Sequence, residues 1–87
     1  MANKKYRTVS EFFIKHPDRW VRGVYEDGHG NHCLLGALEK IYEHNLDEHE
    51  NALNRLETLT ECRPIRYNDE KAKDVIDIIS LCLAADV

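Results

Sequence analysis

NDEKAKDVIDIISLCLAADV, residues 68–87, is the stretch on which the fold turns. Ala72, Val75, Ile76, Ile79, Cys82 and Leu83 recur in it at the spacing of one helical face, three or four residues apart. Such a stripe has to be buried against other helices. The reading is a long final helix that starts near Asp69, with Asn68 as its N-cap and Asp69 complementing its dipole.

Working back from it, three more helices are expected to supply the partners. Residues 47–60 carry Ala52, Leu53, Leu56 and Leu59 on one stripe and acids on the other. Residues 32–43 carry Leu34, Leu35, Leu38, Ile41 and Tyr42 at helical spacing, with Asn31 or His32 as N-cap and Asn45 as a left-handed stop. A short first helix over 9–15 opens with TVSE, a capping box of Thr8 and Glu11, and presents Val9, Phe12 and Phe13. Pro17 then ends it. Between the first two helices lies RWVRGVYEDGHGNH, residues 19–32, where Trp20, Val21, Val24 and Tyr25 favour extended backbone and EDGHGN signals a turn. Trp20 is expected to anchor the core. The fold class is therefore all-α, a compact bundle of about four helices with a small hairpin or irregular segment after the first. No linker or repeat divides the chain, so 1–87 reads as one domain, with 1–7 as a flexible basic tail.

Composition excludes several functions. No apolar run approaches the ~20 residues that span a bilayer. A net charge of −4 argues against a nucleic-acid binder, whose footprint is basic. MANKKYRTV has lysines but no apolar signal core, and Cys33, Cys62 and Cys82 make an odd count without a C-x-x-C pair. Both facts point to a cytoplasmic protein with reduced thiols.

Two constellations are candidates for function. The first is acidic. Asp47, Glu48, Glu50, Glu57 and Glu61 on the third helix face only Arg55 in that stretch, and suit a partner protein with a basic surface. The second is a set around Cys33 in GNHCLLGAL, residues 30–38. A thiol in the first turn of a helix gains thiolate stability from the amide dipoles, and His32, Asn68 and Asp69 could complete a nucleophilic or ligand-binding pocket. The opposing reading makes Cys33 a small buried residue, with Gly36 and Ala37 letting its helix approach the last one closely. Metal binding by His29, His32 and Cys33 with Cys62, His44 or His49 is disfavoured, because only one ligand cluster exists where zinc sites use two. The GHG of residues 28–30 is turn chemistry, not a phosphate loop.

Taken in order, Trp20 and Gly23, then Cys33-x2-Gly36-Ala37 at a helix start, then Asn68-Asp69 before a last amphipathic helix resemble a family of small bacterial and bacteriophage proteins of unknown function. The resemblance spans about residues 18–84. It implies a compact helical fold in which Trp20, Cys33, Gly36, Asn68 and Asp69 are shared positions, and it implies no activity. The short loop before Cys33 and the acidic middle depart from the pattern. The expected function is a non-enzymatic interaction module, extending by the phage association to an inhibitor of a host protein. The alternative is a small enzyme or ligand-binding domain centred on Cys33, His32, Asn68 and Asp69. No cofactor or metal is expected. A homodimer through the last helix would add burial to so small a core.

Overall fold

Helix ends here are set by side chains that satisfy first-turn amides. In the structure, a computed structural model that describes residues 6–43 and 45–87, Thr8 accepts from the Glu11 amide at 3.1 Å and starts α1 (Val9–Lys15), as its sequence indicates. Glu11 turns toward Lys15, 3.9 Å away. Pro17 opens a 3-10 turn, Pro17–Arg19. An irregular segment follows, whose strand-like pairing is limited to single bridges of His32 with Trp20 and with Glu26, so no hairpin forms among the described residues. Cys33, rather than Asn31 or His32, is the N-cap of α2 (Leu34–Ile41). Asn45 is extended instead of left-handed: its side chain accepts from the Glu48 amide and begins α3 (Leu46–Thr60). The left-handed stop falls at Glu61, with φ of 57°.

The crossing after α3 is itself helical. Pro64 opens α4 (Pro64–Arg66), which widens into a π-turn over Tyr67–Lys71, closed by the Ala72 amide on the Tyr67 carbonyl at 2.8 Å. The chain is therefore all-α with five α-helices among the described residues, one more than the four expected. The expected start of the last helix also moves. Ala72 is extended, and Asp74 caps α5 (Val75–Ala84) by accepting from the amides of Ile76 and Asp77, while the Asp77 carboxylate accepts from the Lys73 amide.

That break changes which stripe is buried. Ala72 no longer shares a helix with Val75, and α5 is apolar almost all round. It turns Ile78, Leu81 and Cys82 inward, with Ala85 beyond its end, and leaves Ile76 and Leu83 61% and 59% exposed. The core otherwise contains Val9, Phe13, Leu34, Leu38, Ala52 and Leu56. α1 packs across α5 and α2, and α3 closes the opposite side against α2, α4 and α5. The Cα radius of gyration, 11.7 Å, matches the ~12 Å of a compact domain of this length. No helix among the described residues is long and apolar enough to cross a membrane. Of the expected basic tail, residues 1–5 lie outside the described residues, and Tyr6 packs edge-on to Phe12 and hydrogen-bonds His16 at 2.6 Å.

Candidate functional site

Asn68 is fully buried in the π-turn, and its side chain is the centre of the molecule's polar wiring. The Oδ1 atom accepts from the Trp20 indole at 2.5 Å and from the Leu34 amide at 2.9 Å. The Nδ2 group donates to the Val21 carbonyl at 3.1 Å and to Asp69 Oδ1 at 2.9 Å. Asp69 Oδ1 also accepts from the Gly23 amide at 3.0 Å. A side-chain amide has two donors and two acceptor lone pairs, and here all are used. The expected role of Asn68, capping its own helix, is thus corrected: it satisfies a first-turn amide of α2, 34 positions away in the chain. Arg22 reinforces the same junction. Its guanidinium lies 4.9 Å from the Trp20 ring centroid and donates to the carbonyls of Ala72 and Lys73.

Cys33 caps α2 through sulfur, accepting from the Gly36 amide at 3.3 Å. Burial pushes its thiol up, against the pull of the Gly36 and Leu35 amides, and Asp69 raises it further. The helix start therefore does not yield a ready thiolate. Gly36 is needed for a close approach, though not to the last helix as expected: a Cβ there would lie 2.1 Å from the Tyr25 carbonyl oxygen. The Cys33 amide donates to that same carbonyl at 3.1 Å. Cys82, buried in the core, is pushed up to about 12.

Cys33, Asn68 and Asp69 thus meet at one junction, whereas the His32 ring packs against Phe12 instead. Among the described residues no hydrogen bond joins the His32 ring to the thiol. The ring's Nδ1 faces Glu26 Oε2 at 3.8 Å, and burial lowers the imidazole's pKa. The chemistry on view is a clamp that fastens residues 20–33 onto α2 and the π-turn. Among the described residues no three His, Cys, Asp or Glu side chains gather as a metal site, and His44 lies outside them.

The acidic residues resolve into two groups. At ~100° per residue, Asp47, Glu50, Glu57 and Glu61 share a sector of roughly 80° along α3. Asp47, Glu50 and Glu61 are exposed, Glu57 is half-buried, and none of the four forms an ion pair among the described residues. Glu48 sits about a quarter-turn away and lines a groove with Tyr42, Asn51 and Arg55. Asp47 favours the helix N-terminus, but Glu57 and Glu61 stand at the carbonyl end, where no basic residue occupies the last turn.

The sequence reading missed the clamp, because it spans residues 20, 34 and 68, and it missed the cap at Asp74. The latter had a signal: DVID, residues 74–77, is an N-cap with an acid three residues on. No family model, curated protein or solved structure matches the chain.

Proposed function

We propose that this chain is a non-enzymatic protein-interaction module whose α3 face docks onto a basic surface of a partner protein in a reducing compartment. The observation that carries the reading is the stripe Asp47, Glu50, Glu57 and Glu61, which has no internal counter-charge among the described residues. Two of its members stand where the helix dipole opposes them, so they lower the stability of α3 while concentrating negative potential on one side. The resemblance to phage proteins directs the reading further, to an inhibitor that occupies a basic groove of a host enzyme.

The test is a pull-down from source-cell lysate at low and raised salt, with Glu50→Lys/Glu57→Lys/Glu61→Lys beside the wild type. Exposed charges are screened beyond ~8 Å at physiological ionic strength, so a partner held by this face dissociates as salt rises. One stoichiometric partner that survives charge reversal would refute the assigned surface.

A further inference from the structure

We propose that His32 is a proton-sensitive pin that fastens the irregular segment 24–31 to the helical body and releases it on acidification. Asn68, Asp69 and Arg22 hold its approach, Val21 to Gly23, and the rest hangs from residues 32 and 33. The His32 amide donates to the Arg19 carbonyl at 2.8 Å, and its carbonyl accepts from the Val21 amide at 3.1 Å. The next amide, Cys33, holds the Tyr25 carbonyl. The His32 side chain is only 11% exposed, and its ring lies edge-to-face with Phe12 of α1 at 5.6 Å. Its Nδ1 is shut off from solvent and has no hydrogen-bond partner among the described residues.

A neutral ring fits this slot, while a charged one must find compensation there. Glu26 is the nearest carboxylate, but 3.8 Å is too long for a hydrogen bond and its side chain is 52% exposed. Asp27 adds a weaker attraction from the same loop. Arg19 from the 3-10 turn and Lys40 from α2 oppose a second positive charge. On the α1 side stand the Phe12 ring and, against its other flank, His16. Burial outweighs Glu26, so the pinned ring titrates below the ordinary histidine range. The released ring titrates within it, near 6.5. Attachment is therefore complete above the released value and is lost as pH falls from there toward the pinned value. Release would free Val24 and Tyr25, both already about half exposed, and break the bond of the Cys33 amide to the Tyr25 carbonyl.

Amide hydrogen exchange by NMR at pH 7.5 and 5.0, corrected for intrinsic rates, tests this. The Cys33 and Val21 amides are expected to lose protection several-fold at pH 5.0, while the Tyr42 amide within the α2 end keeps its own. His32→Gln is expected to abolish the pH dependence. Should that variant fail to fold, two charge variants give opposite signs: Glu26→Gln deepens the loss at pH 5.0, and Lys40→Gln makes it shallower. Equal loss in His32→Gln, unchanged protection in the wild type, or charge variants that leave the loss unaltered would overturn the assignment.

Discussion

Asn68→Ala should be the most damaging single truncation of a polar side chain in this molecule. It removes all four hydrogen bonds made by the amide, to Trp20, Leu34, Val21 and Asp69. The Leu34 amide is then left without a partner in a buried site, and the half-buried Val21 carbonyl loses its own partner. A buried polar group left unmade costs about 1–3 kcal/mol. The Trp20 indole and the Val21 carbonyl, both half-buried, regain some water and count at the low end. The sum is about 3–5 kcal/mol, against a total of roughly 4–13 kcal/mol for a chain of this length. At about 4–8 °C per kcal/mol, Tm falls by more than about 12 °C. Urea unfolding followed by fluorescence of Trp20, the only tryptophan, reads the clamp directly. Asp69→Asn keeps the oxygen that Gly23 and Asn68 use, and should cost no more than about 1.5 kcal/mol. A loss below about 1 kcal/mol in Asn68→Ala, with an unchanged denaturant slope, would refute the reasoning.

Four further outcomes follow from the packing and caps described above. Cys33→Ala should cost about 1–2 kcal/mol, because it removes the sulfur that caps the Gly36 amide, and Cys33→Leu, which overpacks a residue that is 1% exposed, about 1–3 kcal/mol by thermal unfolding. Thiol labelling at pH 8 should show Cys62 reacting fast and Cys33 and Cys82 slowly, since burial holds both of the latter thiols up; a fast Cys33 would contradict its place in the core. Gly36→Ala should destabilise by about 1–3 kcal/mol despite a helix-propensity gain of up to ~1 kcal/mol, because the Tyr25 carbonyl it meets is backbone, and Asp74→Ala should cost about 1 kcal/mol through the lost cap of α5.

What the sequence makes legible is local. The Thr8 cap, the bounds of α3 and the all-α class all rest on residues within a turn or two of one another, and their signals are additive. The stripe in residues 68–87 was misleading for a definable reason. With Val75, Ile76, Ile78, Ile79, Leu81, Cys82 and Leu83 nearly encircling α5, two overlapping faces satisfy helical spacing, and the choice between them depends on where the helix starts. Asp74 fixes that start, and the π-turn before it holds Asn68 at right angles to the role its position suggests. The junction of Trp20, Cys33, Gly36, Asn68 and Asp69 illustrates the second limit. Each residue taken singly has an ordinary reading, as core aromatic, buried thiol, small spacer and helix cap. Only their convergence in space gives them one purpose. The acidic face, by contrast, is readable as composition, and the fold adds only its division into a four-residue stripe and a separate Glu48.

The clamp also bears on the lifetime of the folded chain. Asn68 joins partners 34, 47 and 48 positions away, so these three hydrogen bonds need α2, the segment after α1 and the π-turn brought together. Contacts of such long reach repay their loop-closure entropy late on the folding pathway. Interactions absent from the transition state slow unfolding without speeding folding. One buried carboxamide is therefore expected to slow unfolding more than it speeds folding.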